Sequence, residues 1–332
     1  MTARAVETRT VAEDEAELRL DRWFRRHFPG LTHGALAKLL RTGQVRVDGK
    51  RAETGTRLAP GQSVRIPPLG ELAAPRPKRA LAVDPREAKE LERLVLYRDA
   101  SVIVLDKPFG LPVQGGPGIV RSLDALLDGL RFGAEERPRL VHRLDRDTTG
   151  VLLVARTAGA ASRLAAAFRS RDAEKTYWAV TVGVPSPRAG RIDAPLAKRA
   201  GLRGERVTLA EHDDEDAARA ITDYRTLDAA GKRAAWLELS PLTGRTHQLR
   251  VHCVGLGCPI LGDAKYGGAA AMLEGFPDQL HLHARGIAIP HPEGGVLRVE
   301  APLPPHMRAT FAALGFAAPR PIKPARGPAR RG

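Results

Sequence analysis

The alternation of apolar and polar residues changes character along the chain. Leu20, Trp23, Phe24 and Phe28 fall on one side of a helical period and Arg22, Arg25 and Arg26 on the other, which predicts an amphipathic helix. Pro29 and Gly30 stop it. Thr32 is placed to cap a second helix carrying Leu36, Leu39 and Leu40, and Gly43 ends that one. "QVRVDGKR" then reads as a strand entering a hairpin turn at Asp48-Gly49. From about residue 91 the pattern shifts to short β-type runs: "RLVLY", "SVIVLDKP", "VLLVAR", "TYWAVTVG", "AITDYRTLD", "AAWLELSPL" and "GVLRVEAPL". Several are joined by turn signals such as "DAAGK" and "HPEGG". Helical patterns are fewer there, at about 158–169 after Thr157 and about 246–254 after Gly244.

Many strands with few, irregularly placed helices predict an α+β domain with a large mixed or antiparallel sheet over 91–316, behind a small α/β module at 18–67. Residues 1–17 read as an N-terminal extension. Residues 68–90, rich in proline and charge and without an apolar period, read as a semi-rigid linker. The segment 317–332 holds four prolines, five basic residues and no acid, so it is expected to be disordered.

Composition adds a partner to this picture. The chain of 332 residues carries 53 Lys+Arg against 38 Asp+Glu, a formal charge of +15. Such an excess suggests a polyanion, nucleic acid before anionic membrane, although free use of arginine would produce part of it without any partner. Clustering is more telling: residues 18–67 hold eleven Lys/Arg and three Asp/Glu. Arg22, Arg25, Arg26, Arg41, Arg46, Lys50 and Arg51 are the candidate RNA contacts of that module. Only Cys253 and Cys258 are present, which fits a reducing cytoplasm. The N-terminus has no apolar signal core and no stretch approaches a membrane span, so a soluble cytoplasmic protein without a membrane partner is expected.

Candidate chemistry gathers in three stretches. In "RLVHRLDRDTTGVLLVAR", residues 139–156, the flanks are strand-like and "RLDRDTTG" is the loop between them. Asp145 then stands at an element end, where a rigid scaffold presents a reacting group. Neighbouring arginines would favour the anion, as a carboxylate nucleophile requires. An Asx-turn with surface ion pairs accounts for the same residues. "SPLTGRTHQLRVHCVGLGCPILGDAKYGG", residues 240–268, is too densely polar for an ordinary core segment. A helix from about Thr246 puts Leu249 and Cys253 on the packing face, with Arg250 beside it and able to meet a carboxylate. Its cysteines and histidines invite a zinc reading, with His281 and His283 nearby in sequence. The cysteines are five apart, however, without C-x-x-C or HExxH, so no metal is expected. Hydrogen-bonding histidines are the commoner case. In "EKTYWAV", strand alternation sends Tyr177 and Trp178 to opposite faces, one free to stack on a base or both buried in a core.

Together these stretches resemble the RluA-type pseudouridine synthases. "LYRDASVIVLDKPFGLPVQGG", "LVHRLDRDTTGVLLVAR", "KTYWAV" and "LTGRTHQLRVH…GCPILGDAKYG" are similar to that family's successive motifs, in order. The helices and hairpin of 18–67, with "RLDRWF" and "GQVRVDGKR", resemble the S4 RNA-binding module. The resemblance runs from about 18 to 305 and is nearest to the branch acting on large-subunit (23S) ribosomal RNA. Two positions depart: Thr149 stands where the family usually has Ser, and Asp106 where Asn is usual before Lys-Pro. The resemblance implies a monomeric, cofactor-free isomerase that flips a uridine out of ribosomal RNA, breaks its N1–C1′ bond and rejoins the base through C5. Asp145 would act on the ribose, by attack at C1′ or by taking a proton. Tyr177 would stack on the base and assist proton removal at C5, and Arg250 would pair with Asp145. Arg143 would fill the gap in the RNA stack, with His142, Arg245 and His247 also meeting the RNA. A noncatalytic RNA-binding protein is the alternative, and a zinc base deaminase lacks its C-x-x-C.

Overall fold

A computed structural model describes residues 6–69, 83–116, 121–200, 206–211 and 213–317. The chain divides into two compact units, Met1–Leu81 and Ala82–Gly332.

In the first unit, α1 (Leu20–His27) and α2 (His33–Arg41) accompany a four-stranded antiparallel sheet. Its strands are β1 (Glu7–Thr10), β2 (Arg46–Val47), β3 (Lys50–Arg51) and β4 (Ser63–Ile66), in the order β1-β4-β2-β3. Thr32 caps α2, its hydroxyl oxygen accepting the Ala35 N–H at 3.2 Å. Asp48 and Gly49 both adopt left-handed backbone (φ 48° and 73°), as a two-residue hairpin turn requires. Leu20, Trp23, Phe24, Leu36 and Leu40 share the core with Val45, Leu58 and Val64.

Two expected boundaries are corrected. Residues 7–17 are no extension: β1 pairs with β4 along its length, and Val11 lies in the core. Glu15 is buried as well, accepting the Trp23 indole N–H at 2.8 Å and meeting His27 Nε2 at 2.6 Å. An indole N–H buried with Trp23 needs such an acceptor, and the acidic stretch before α1 supplies it. Nor is 68–90 a linker throughout. Leu69 belongs to the first unit's core, and α3 (Pro85–Glu92) opens the second, with Asp84 accepting the Arg86 N–H at 2.7 Å and Pro85 in the first turn. Leu91 is the one buried residue of α3, too little to show as an apolar period. Residues 70–82, and the expected disordered tail beyond residue 317, lie outside the described residues.

The second unit is built on one mixed sheet, of ten strands among the described residues. They are β5 (Val95–Arg98), β6 (Val102–Lys107), β7 (Arg139–Leu140), β8 (Thr149–Ala155), β9 (Glu174–Val182) and β10 (Ala189–Asp193). β11 (Leu196–Arg199) and β12 (Arg206–Leu209) form a separate pair. β13 (Ile221–Ala230), β14 (Ala234–Pro241), β15 (Leu282–Pro290) and β16 (Val296–Glu300) complete the sheet. Its order is β10-β13-β14-β9-β15-β8-β6-β5, with β16 on β15 and β7 on β8. All pairs are antiparallel except β15 with β8.

That parallel contact joins the two halves of the sheet and is confined to His283–Thr149 and Ala284–Gly150. Gly150 makes it possible: a Cβ there would lie 2.2 Å from the Ala284 carbonyl oxygen, and its φ is 102°. α5 (Ala158–Ser170), capped by Thr157, packs on one face with Val102, Val104, Val151 and Leu153. α4 (Leu123–Leu126) covers the other face with Ile103, Leu105 and Leu152. α6 (Gln248–Gly255) follows β14 and packs through Leu249 and Cys253. α7 (Pro305–Leu314) closes a cluster around Trp178 and Trp236. Among the described residues no helix is long and apolar enough to cross a membrane.

Candidate active site

The loop 141–148 leaves β7 and re-enters the sheet as β8, and His142 governs its exit. β6 pairs along one edge of β8, so β7 and β15 share the other. Between them the Leu153 N–H has no strand to meet and donates instead to His142 Nε2 at 2.8 Å. The ring also stacks on Phe168, 4.6 Å between centroids. Burial lowers this imidazole to about 3, with Lys175 adding to the effect, so it stays neutral and keeps an acceptor nitrogen. His142 is thus a fastener of the loop.

A second fastener comes from β6. Lys107 is 1% exposed, and its ammonium donates to the carbonyls of Pro108 (2.9 Å), Leu111 (2.9 Å) and Arg146 (2.7 Å). Burial pulls it down to about 8, against the attraction of Asp147 and Asp145. Three carbonyls around one buried cation fix the backbone directly after Asp145. Sequence reasoning gave Lys107 no role, although it follows Asp106 at the end of an otherwise apolar strand. A third tie holds the loop's far end. His283 Nε2 faces the Ala301 carbonyl (3.4 Å), which leaves Nδ1 to accept from the Thr149 hydroxyl at 2.8 Å. His281 is likewise buried and bonded, to the Gln279 carbonyl (2.7 Å) and the Thr310 hydroxyl (2.8 Å).

Held this way, the loop presents Asp145 half-buried in a cleft of about 810 Å³. Tyr177 on β9 lines the same cleft, while its neighbour Trp178 points to the opposite face and packs on Trp236. Burial raises the Tyr177 hydroxyl above its ordinary value, and the Asp145 charge adds to the rise. Arg143, Arg245, His247 and Arg250 line the cleft too, so all seven expected residues of this unit come together. Arg143 is exposed and makes no hydrogen bond or ion pair among the described residues. Arg245 donates to the Arg219 carbonyl at 3.0 Å. With Arg169, Arg171 and Lys175 also at its walls, the cleft has six cationic side chains against the carboxylates of Asp145 and Glu174.

Arg250 corrects the sequence reading. It does not pair with Asp145. Its Nε and Nη2 donate to Asp263 at 2.8 and 2.7 Å, both side chains being almost wholly buried. The guanidinium lies over the Tyr266 ring, 4.9 Å from its centroid. On this wall His247 approaches Asp145, its Nε2 standing 3.8 Å from Asp145 Oδ1. Gln248, also overlooked, anchors the start of α6: it accepts from the Thr243 hydroxyl (2.7 Å) and donates to the Ile221 carbonyl (2.9 Å) and Thr222 (3.0 Å).

The seven candidate RNA-contacting cations of the N-terminal unit are all exposed. Arg26 is bound to Asp14 at 2.7 Å, and Arg46 donates to the carbonyls of Gly43 and Gly49 at 3.2 and 3.0 Å. Among the described residues the side chains of Arg22, Arg25, Arg41, Lys50 and Arg51 have no hydrogen bond or ion pair, leaving their charge for an anion.

Comparison with known proteins gives a consistent picture. The family profile described as RNA pseudouridylate synthase matches residues 101–254, which include the Asp145 loop, Tyr177 and Arg250. The chain is 35% identical to the Ribosomal large subunit pseudouridine synthase C of Rickettsia conorii, covering 86% of this chain and 94% of that protein. It is 34% identical to RNA pseudouridine synthase 4, mitochondrial, of Arabidopsis thaliana, over 87% of this chain and 78% of that one. Among solved structures, human RNA Pseudouridylate Synthase Domain Containing 4 superposes with a TM-score of 0.59 at 34% identity, covering 71% of this chain and 98% of that one.

Proposed function

The chain belongs to the RluA family of RNA pseudouridine synthases, and from that premise we propose that it isomerises particular uridines of large-subunit ribosomal RNA, with Asp145 as nucleophile on a flipped-out base. The observation that carries this reading is the pairing of Asp145 with Tyr177 in a cationic cleft whose volume suits a nucleotide. A uridine stacked in RNA cannot reach a half-buried carboxylate inside a cleft, so it must leave the stack at a cost of roughly a few kcal/mol. Arg143, exposed and without a protein partner, is free to occupy the vacated place.

In the cleft, attack by the Asp145 carboxylate on ribose C1′ breaks the N1–C1′ bond and leaves the electron pair on the uracil. The base rotates and C5 takes the place of N1 at C1′, releasing the carboxylate. The C5 proton is then lost, with Tyr177 beside the base to assist, and N1 gains one. Bonds and protons balance without an oxidant or reductant. We assign Arg22, Arg25, Arg41, Lys50 and Arg51 to RNA phosphates, the N-terminal unit serving as an S4-type module.

The large-subunit target rests on the names of relatives such as the Rickettsia conorii enzyme. It is tested by offering the protein unmodified transcripts of large-subunit rRNA, small-subunit rRNA and tRNA, each tritiated at uridine C5, and counting released tritium. Release from the large-subunit RNA alone supports the assignment. Release only from the other RNAs overturns the target, and release from none overturns catalysis in favour of a binding protein.

A further inference from the structure

At the head of α6, His247 brings its Nε2 to 3.8 Å from the Asp145 carboxylate, and its geometry is unusual. It sits at the N-cap of the helix in left-handed backbone (φ 55°, ψ 19°), a conformation uncommon for a residue with a side chain, although less so for histidine than for most. The helix therefore starts at Gln248, two residues later than the sequence pattern predicts. This turn aims the imidazole into the cleft between two partners. Nδ1 lies 2.5 Å from the Tyr266 hydroxyl, and Nε2 lies 3.8 Å from Asp145 Oδ1.

One arrangement of protons satisfies these partners together. The Tyr266 oxygen accepts the Val207 N–H at 3.4 Å, and its own O–H is then free to donate to Nδ1. That leaves the imidazole proton on Nε2, directed at a carboxylate that can only accept. Tyr266 is itself fixed: Asp263 accepts its backbone N–H at 3.0 Å, and Arg250 lies over its ring. Asp263 is the residue that holds Arg250, so the Arg250–Asp263 pair reaches Asp145 through Tyr266 and His247.

We propose that His247 is a positioning residue for the nucleophile, presenting an Nε2–H that orients the Asp145 carboxylate, and that Tyr266 locks it in the tautomer that does so. At 3.8 Å the contact is too long for a hydrogen bond in the free protein, and it closes when the substrate fills the cleft, as loosely set catalytic contacts do. Burial holds the imidazole below its ordinary value, opposed by Asp145 and Asp263 and assisted by Arg250 and Lys265, so the neutral ring is the working form. The inference rests on the assignment of Asp145 as nucleophile. It replaces the RNA-contacting role that the family resemblance implied for His247.

The test is single-turnover pseudouridine formation on a C5-tritiated large-subunit rRNA transcript at saturating enzyme, with RNA affinity measured separately. His247→Ala loses roughly ten- to a hundredfold in rate, the worth of one hydrogen bond to a charged group, with affinity nearly unchanged. His247→Gln, whose amide N–H reaches the place of Nε2–H, recovers most of that loss, although it shares the backbone strain. Tyr266→Phe loses several-fold and adds nothing to His247→Ala. An affinity loss without a rate loss would overturn the proposal in favour of an RNA contact. So would a Gln variant no faster than Ala with both folded, or additive losses for the His247 and Tyr266 changes. Asp145→Asn in the same assay keeps the two readings apart. Its activity would remove the nucleophile assignment itself, whereas an inactive Asp145→Asn beside an unaffected His247→Ala would remove only this inference.

Discussion

Arg250 and Asp263 form a buried bidentate pair, Nε to Oδ2 at 2.8 Å and Nη2 to Oδ1 at 2.7 Å, on the wall of the cleft facing Asp145. Removing either partner leaves the other charge buried and uncompensated, a loss of about 3–5 kcal/mol of stability. Arg250→Met and Asp263→Asn should therefore both lower the denaturation midpoint strongly, and the double variant should be less damaged than the sum of the two. Additive losses in denaturant titrations would mean that the pair is not energetically coupled. On flexible and folded RNA substrates alike, Arg250→Met should be equally impaired, because its role lies inside the protein.

Lys107 makes two pH trends of opposite sign. Its folded value of about 8 lies below the ordinary 10.5, so between those values the unfolded chain binds more protons and stability rises with pH. Activity should fall over the same window. The neutral amine has one donor fewer than the ammonium for its three carbonyls, and the Arg146 carbonyl beside the nucleophile loses support. Melting temperatures and single-turnover rates across that range, in the wild type and in Lys107→Met, should show both trends in the wild type and neither in the variant.

How far the sequence foretold these parts depended on whether their causes are local. Thr157 before α5, Thr32 before α2 and the Asp48-Gly49 turn were legible because capping and turn chemistry act within a few residues. Tyr177 and Trp178 were placed on opposite faces by strand alternation alone. Long-range partners were not legible: Asp263, thirteen residues after Arg250, looks in sequence like any turn aspartate. β15 was also missed as a strand, because Arg285 and Gly286 interrupt its apolar run. Those residues are explained only by the fold, where Arg285 pairs with Glu300 and lies over Trp178.

The unpaired cations of the N-terminal unit should act through phosphates. Changing Arg22, Arg25, Arg41 and Lys50 together to Gln should weaken binding to rRNA of any sequence. Each lost contact should flatten the log–log salt dependence by roughly 0.7 to 0.9. Filter binding over a salt series reads this directly, and an unchanged slope would show that these residues do not touch RNA.

Arg143 should matter in proportion to the difficulty of extracting the uridine. Arg143→Ala should lose more rate on a folded stem-loop than on a flexible strand carrying the same uridine, where extrusion costs little. Equal losses at saturating enzyme would leave Arg143 without a part in flipping.

If the Asp145 carboxylate performs the chemistry, Asp145→Asn abolishes it, since the amide is nearly isosteric and is not a nucleophile. The measurement is tritium release from C5-labelled large-subunit rRNA under single-turnover conditions, with folding and RNA affinity shown to match the wild type. The expected outcome is a folded, RNA-binding protein with less than about one per cent of wild-type release, once any deamidated material is removed. Release near the wild-type rate would contradict it.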